Sequence, residues 1–147
     1  MERVLAVFAT LAVGALIAFQ PPVNSELGKH TSVLGAAFVS TAISAIVLTL
    51  IMAFANEWGR LGGLADTPVI YMTGGLLGAI LVTVSLVTVR TLGAGGVVAA
   101  TVCGQLIVSA LLDRAGVLGL EQVGLTPLRV LGFALLLAGT FLVVVRP

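Results

Sequence analysis

Residues 33–55 read VLGAAFVSTAISAIVLTLIMAFA, a run of 23 residues without a charged side chain. A helix crosses the hydrocarbon core of a bilayer with ~17–25 predominantly apolar residues, so this run is long enough to span a membrane. Four further apolar stretches of similar length lie at residues 4–20, 69–89, 93–112 and 128–145, and Arg129, at the start of the last, is the only charged residue within them. The sequence therefore predicts one transmembrane domain over residues 1–147, built from five spanning helices.

The composition supports the same class of protein. Hydrophobic residues make up 59% of the 147 residues and charged residues 9%, and the mean hydropathy is +1.23. A soluble chain of this size needs more polar residues to cover its core. Because lipid offers no hydrogen-bond partners and the runs are continuous rather than alternating, we expect helices, and the predicted fold class is an all-α integral membrane protein.

The first stretch follows Glu2 and Arg3, as a secretory signal would, but no small-x-small cleavage pattern follows it. It ends instead in Gln20-Pro21-Pro22, so we expect a retained helix. The single cysteine, Cys103, excludes an intrachain disulfide.

The lysines and arginines are almost equally divided between the two faces that five crossings define. One face holds Arg3, Arg60, Arg114 and Arg129, and the other holds Lys29, Arg90 and Arg146. Membrane proteins are oriented by an excess of Lys and Arg on the cytoplasmic side, and here that excess is one residue. The chain therefore inserts in both orientations or needs a partner to fix its orientation. The alternative is that one or two charges in its short connectors are enough to orient it.

A weakly oriented five-helix chain matches half of an inverted-repeat transporter, whose substrate site lies between two oppositely oriented repeats. The two halves would then be separate chains in an antiparallel dimer with dual topology, or a chain and an oppositely oriented paralogue.

Polar residues inside the first helix point to a cavity. Gln20 and Asn24 are four residues apart, so a helix that continued through Pro21 and Pro22 would carry both amides on one face. Each proline removes a backbone donor, and irregular backbone at membrane depth is tolerated where it lines a cavity or is buried. The alternative is that Gln20 lies at the interface and the two prolines end the helix.

The fourth helix carries two parallel strips of residues. The small residues Gly96, Ala100 and Gly104 recur every four positions and permit close approach of another helix. Thr101, Gln105, Ser109 and Asp113 follow the same spacing on a neighbouring face. Since a buried unpaired amide costs ~2–7 kcal/mol, we expect Gln105 to face another helix, a water-filled cavity or a ligand.

The second and third helices add weaker candidates. Ser40 and Ser44 share one line of the second helix, where serine hydroxyls often bond back to their own backbone. Gly74 and Gly78 form a packing surface on the third helix, and Tyr71 near its start suits an interfacial anchor better than a site residue.

Several function classes have no support in the sequence. Charged residues and His30 avoid the central turns of every predicted helix, which disfavours a carboxylate-based proton exchange site. We find no catalytic constellation, metal-ligand cluster or cofactor motif, and therefore predict that the protein is not an enzyme. A net charge of +1 without a basic cluster gives no support for nucleic-acid binding.

Three motifs together resemble a known family. They are Gln20-Pro21-Pro22-Val23-Asn24, Gly74-Gly75-Leu76-Leu77-Gly78-Ala79 and Gly104-Gln105-Leu106-Ile107. The chain resembles the short five-helix branch of the drug/metabolite transporter superfamily, the YdcZ-like exporters of the bacterial inner membrane. The resemblance implies a half-size relative of ten-helix carriers, with Gln20, Asn24 and Gln105 facing a central cavity.

The leading hypothesis is thus a small secondary transporter subunit that exports small organic molecules or metabolites. It would work as an antiparallel dimer and alternate access to a cavity lined by its first four helices. The alternative is a non-transporting membrane subunit that packs against a larger complex through the Gly96, Ala100 and Gly104 strip. A channel is less well supported, because no charged ring or repeated hydroxyl lining occurs.

Overall fold

The fold was analysed in a computed structural model, which describes residues 3–118 and 121–145, except for the side chain of Arg3. Its α-helices are α1 (Arg3–His30), α2 (Val33–Ala55), α3 (Gly74–Ala115) and α4 (Pro127–Val144). Two 3-10 helices, at Trp58–Asp66 and Val69–Thr73, connect α2 to α3. All regular elements of the described residues are helical, which confirms the predicted all-α class.

Helix α1 is longer than the sequence indicated. It has 28 residues and contains Pro21 and Pro22, so the expected limit at Gln20 is wrong and the prolines do not end the helix. Neither proline offers an N–H to the carbonyl four residues earlier. Contacts made beyond the prolines, where Leu27 packs against α2 and α3 residues, hold the helix together past this gap.

Helix α2 occupies the same residues as the apolar run. Ser32 caps its start, where Ser32 Oγ accepts the Gly35 N–H at 2.9 Å. Asn56 ends it in the left-handed conformation, with φ 53° and ψ 40°. The Glu57 N–H bonds the Met52 carbonyl and the Asn56 N–H bonds the Ala53 carbonyl, which is the Schellman pattern of a helix that stops abruptly.

Helix α3 contains a break at Gly93. A straight helix of its 42 residues would be roughly 63 Å long, about twice the ~30 Å core of a bilayer. Gly93 has φ 69° and ψ 170°, a combination that is essentially restricted to glycine. It separates residues 74–92 from residues 94–115, so the described chain has five α-helical segments. The third segment begins at Gly74, not at residue 69, because residues 69–73 form a 3-10 helix.

Contacts divide the chain into two units, of which the first ends at Thr91 and the second begins at Leu92. The core of the first unit is a junction of α1, α2 and residues 74–92. It consists of Ala36, Ala37 and Leu86 with Leu27, Val33 and Val82 packed against them. In the second unit, Val97, Cys103 and Ala110 are buried.

Most other large apolar side chains are exposed. Phe54, Leu128 and Leu142, for example, are 89%, 78% and 76% exposed. Four candidate spans, Val4–His30, Val33–Ala55, Val69–Ala115 and Pro127–Val144, are long and apolar enough to cross a membrane. An apolar exterior of this extent is suited to lipid or to another membrane helix rather than to water.

Candidate functional site

Two of the predicted cavity residues are joined by a hydrogen bond between α1 and α2. Because α1 continues through the prolines, Asn24 follows Gln20 by one helical turn on the same face. Asn24 is only 7% exposed, and its Nδ2 donates to Ser40 Oγ at 3.1 Å. The structure therefore brings an amide and a hydroxyl together inside the first unit, while the Gln20 side chain remains exposed.

A second polar contact connects α1 with residues 74–92. Arg90 Nε donates to Ser25 Oγ at 3.1 Å, and Arg90 Nη2 donates to the Ser25 carbonyl at 3.4 Å. Ser25 is 7% exposed and neighbours Asn24 along α1. Adjacent residues of α1 thus bind the other two helices of the junction, so that all three helices meet at one polar seam, defined as Asn24, Ser25, Ser40 and Arg90.

Gly28 lets α1 come close enough for these contacts. A Cβ on Gly28 would lie 3.2 Å from Leu86 Cδ2 and 3.3 Å from Arg90 Nη2. Both distances are shorter than ordinary van der Waals contact, so a larger side chain would push α1 away from Leu86 and Arg90. The polar seam therefore depends on glycine one turn beyond Asn24.

The other amide candidate, Gln105, lies in the second unit and faces away from α4. Cys103 is 9% exposed, and its thiol contacts Thr140 of α4 at 3.1 Å. Two residues correspond to roughly 200° around a helix, so Gln105 points to nearly the opposite side. It is exposed, and we find no hydrogen-bond partner for its side chain within the described part of the chain.

The remaining candidates make local contacts or none. Ser44 Oγ donates to the Ser40 carbonyl at 3.0 Å, and Ser109 Oγ donates to the Leu106 carbonyl at 3.0 Å. Thr101 is half-buried on the Gln105 side of the helix, and Tyr71 is 60% exposed in the second 3-10 helix. Ser44 thus bonds only the backbone of Ser40, and none of the four side chains hydrogen-bonds Asn24, Ser25 or Arg90.

The predicted packing glycines mostly face open space. A Cβ on Gly74, Gly78 or Gly104 would meet no heavy atom within 4 Å in the described residues, and Ala100 is exposed. Gly96 is buried, and a Cβ there would lie 2.9 Å from Leu92 Cβ, in the same unit. Apart from Gly96, these small residues are therefore not covered by other helices of the described chain.

An apolar cavity of about 320 Å³ lies in the second unit, between residues 94–115 and α4. Its lining includes Cys103, Leu106, Ala110, Phe133 and Leu137. Beside it, the Cys103 thiol contacts Thr140 Oγ1, which donates to the Ala99 carbonyl at 3.3 Å. This cavity is suited to apolar groups and contains none of the predicted amide or serine candidates.

An ion pair closes one end of the same unit. Arg129 Nη2 lies 2.7 Å from Asp113 Oδ2, with the two side chains 35% and 28% exposed. The Asp113 carbonyl also accepts the Val123 N–H at 3.0 Å. Arg129 Nη1 is buried without a hydrogen-bond partner in the described part of the chain. The pair fixes the start of α4 against the end of α3.

Sequence reasoning missed Ser25, Arg90 and Thr140 as contact residues. Arg90 was assigned to a connector, yet it is the only Asp, Glu, Lys or Arg between Asp66 and Asp113, a signal that could have drawn attention to it. Ser25 and Thr140 gave no signal beyond being small polar residues. Among the described residues, no group of three or more His, Cys, Asp or Glu side chains could hold a metal ion.

In a comparison with protein families, residues 5–142 match the family described as "Putative inner membrane exporter, YdcZ". The chain belongs to this family. The matched range begins within α1 and ends within α4, so it includes both units. No curated protein and no solved structure matches the chain.

Membership in the YdcZ exporter family confirms the resemblance seen in the three sequence motifs. It also gives the coarse function and place of the protein, since the family is one of inner-membrane exporters. The polar seam, Gln20 and Gln105 are therefore best considered as parts of a transport protein rather than of an enzyme.

Proposed function

We propose that the chain is one subunit of a small secondary transporter that exports small organic molecules or metabolites. Two subunits associate in opposite orientations and alternate access to a cavity between them. Gln20, Asn24 and Gln105 face that cavity, together with Ser40, Ser44, Tyr71, Thr101 and Ser109. The proposal rests on the exporter family and on two exposed amides, Gln20 and Gln105, whose side chains have no hydrogen-bond partner in the described residues.

The observation that carries the proposal is the exposure of two amides on otherwise apolar helices. Gln20 in α1 and Gln105 in α3 are both exposed, in segments long and apolar enough to span a membrane. An amide without a hydrogen-bond partner in an apolar medium costs ~2–7 kcal/mol. A water-filled cavity, a bound substrate or a second subunit removes that cost.

The open glycine strips and the charge balance support a second copy as the partner. Gly74, Gly78 and Gly104 present smooth surfaces with nothing within 4 Å in the described residues, and small residues of this kind let membrane helices approach closely. Cationic residues are divided four to three between the two faces. A chain without a strong orientation preference is able to supply both members of an antiparallel pair.

Cysteine accessibility tests whether Gln105 faces water. In a Cys103→Ala background, Gln105→Cys is treated with a charged, water-soluble thiol reagent in proteoliposomes. Because the thiolate is the reactive form, a cysteine in a hydrated cavity is labelled and one in lipid is not. The matched control is Ile107→Cys, two residues further on and on the opposite side of the helix. We expect labelling at 105 only; equal labelling, or none at 105, contradicts the assignment.

Export itself is tested by profiling metabolites released by cells that overproduce the protein. We expect the wild type to enrich specific small organic molecules in the medium, and Gln20→Ala and Gln105→Ala to abolish that enrichment. Thr10→Val is the control, because Thr10 Oγ1 donates only to the Ala6 carbonyl of its own helix. Profiles that are unchanged by both glutamine substitutions would count against the proposed site.

A further inference from the structure

We propose that the first 3-10 helix, Trp58–Asp66, is a membrane-surface anchor whose apolar ridge inserts into the boundary between lipid headgroups and acyl chains. This inference concerns a part of the molecule outside the transport site and does not depend on which compound is exported.

The position of this helix follows from its neighbours. The Schellman end of α2 stops that span at Ala55, and the next candidate span begins at Val69. The chain therefore leaves the bilayer and returns to it within the 13 residues 56–68. Because both ends of this short connector are attached to spans and most of it is folded as a helix, it stays close to the membrane surface. It lies next to the lipid-facing surfaces of both spans.

The periodicity of the segment sorts its residues by polarity. A 3-10 helix has 3.0 residues per turn, so side chains three positions apart eclipse one another. Trp58, Leu61 and Leu64 form one continuous ridge. Gly59, Gly62 and Ala65 form a second face of small residues.

The third face carries the charges of the connector. Glu57, Arg60, Gly63 and Asp66 follow one line at a spacing of three, so three of its four positions are charged, and Arg60 Nη1 contacts Glu57 Oε1 at 3.0 Å. A helix with its charges along one line and an apolar ridge along another has the pattern of an interfacial helix.

The apolar ridge is only partly covered by the described chain. Trp58, Leu61 and Leu64 are 47%, 41% and 48% exposed, and no residue of this helix is buried. Tryptophan is enriched at membrane interfaces because its ring is apolar and its indole N–H is polar. Lipid is therefore the occupant that matches both the chemistry of the ridge and its position between two spans.

The charges indicate what kind of lipid surface is recognised. Segments that bind anionic lipid carry clusters of Lys and Arg, whereas this helix and Glu57 together contribute one arginine against two carboxylates. Attraction to anionic headgroups is therefore not the source of binding. We expect insertion into zwitterionic bilayers, driven by the apolar ridge.

The only tryptophan of the chain is Trp58, so its fluorescence measures the depth of this segment directly. The full-length protein is reconstituted into phosphatidylcholine vesicles whose acyl chains carry bromine near the headgroup, at mid-chain or near the bilayer centre. We expect the bromine near the headgroup to quench Trp58 most strongly and aqueous iodide to quench it weakly. The result is the same for either orientation of the protein, because both leaflets contain the quencher.

Three results would overturn the anchor. Full quenching by iodide without quenching by brominated lipid would place Trp58 in water, and strongest quenching near the bilayer centre would place it in a span. Protection from both quenchers would mean that a second protein surface covers the ridge.

Two variants test whether the ridge holds Trp58 at that depth. Leu61→Asn and Leu64→Asn remove apolar side chains from the ridge, and we expect iodide quenching to rise while quenching by shallow bromine falls. Ala65→Asn introduces the same side chain on the face of small residues, and we expect it to leave quenching by iodide and by shallow bromine unchanged. Equal effects of all three substitutions would show that the ridge has no special role.

Discussion

The two units of the chain hold their helices together differently. In the first unit, three helices meet where Ala36 and Leu86 have no exposed surface, and Asn24 and Arg90 donate hydrogen bonds across that junction. In the second, α4 is joined to α3 by the Asp113–Arg129 pair and the Cys103–Thr140 contact, beside a cavity of about 320 Å³. The first unit has a close-packed core that tolerates little change, whereas the second has room for apolar side chains to rearrange.

The largest effect is expected where the second unit depends on charge. Removing one member of a buried ion pair costs ~3–5 kcal/mol, since the other charge remains buried and unpaired. Both side chains here are about a third exposed, so we expect Asp113→Leu to lower the free energy of unfolding by about 3 kcal/mol, at the low end of that range. The measurement is a denaturant titration in mixed micelles.

A double variant separates the charge from the packing at this position. Asp113→Leu with Arg129→Met removes both charges, and we expect it to be more stable than Asp113→Leu alone. Arg114→Met, at the exposed neighbouring position, is the control and should lie within about 0.5 kcal/mol of the wild type. If the double variant is less stable than Asp113→Leu alone, the unpaired, partly buried charge of Arg129 is not what makes the single variant unstable.

The next largest effect tests the close packing of the first unit. Gly28→Leu places a side chain where a Cβ alone would lie 3.2 Å from Leu86 and 3.3 Å from Arg90. Overpacking of this kind costs about 2 kcal/mol, and the polar seam should separate. Gly14→Leu is the matched control in the same helix, because a Cβ on Gly14 meets nothing within 4 Å in the described residues. If both variants lower the free energy of unfolding equally, α1 does not have one packed and one open face.

The smallest effect tests the neutral polar contact of the second unit. Thr140→Val keeps the shape of the side chain but removes the hydroxyl that contacts Cys103 and donates to the Ala99 carbonyl. Hydrogen bonds between membrane helices contribute about 0.6 kcal/mol on average, and we expect a loss of that size. Thr10→Val, which removes a hydrogen bond within one helix, should lower the free energy of unfolding by less than Thr140→Val does. If Thr10→Val is the more destabilising of the two, the Thr140 hydroxyl does not hold the helices together.

The spans were predictable because apolar runs and their charged ends are local features of the sequence. The limits of α2 could be located this way because a serine cap and a left-handed Asn56 coincide with the ends of the run. The break of α3 was also visible, since Gly93 begins the fourth apolar stretch. These features depend on neighbouring residues only.

The path of α1 beyond Pro21 was not predictable, because its support is tertiary. Asn24 bonds Ser40, 16 residues away, and Ser25 bonds Arg90, 65 residues away. A prediction from the backbone N–H groups lost at the prolines ends α1 there. The contacts with Ser40 and Arg90 instead stabilise the helix as far as His30. For the same reason, sequence reasoning placed Arg90 in a connector, although its long side chain reaches back to α1. The proposed roles of Gln20 and Gln105 in a cavity remain predictions.

Topology tests the central claim, a subunit that inserts in both orientations, most directly. Two reporters, one active only in the cytoplasm and one active only outside it, are fused separately after Pro147. The near-equal division of cationic residues between the two faces predicts activity from both fusions, as an antiparallel homodimer requires. Activity from one fusion alone would contradict the homodimer and assign the chain a fixed orientation.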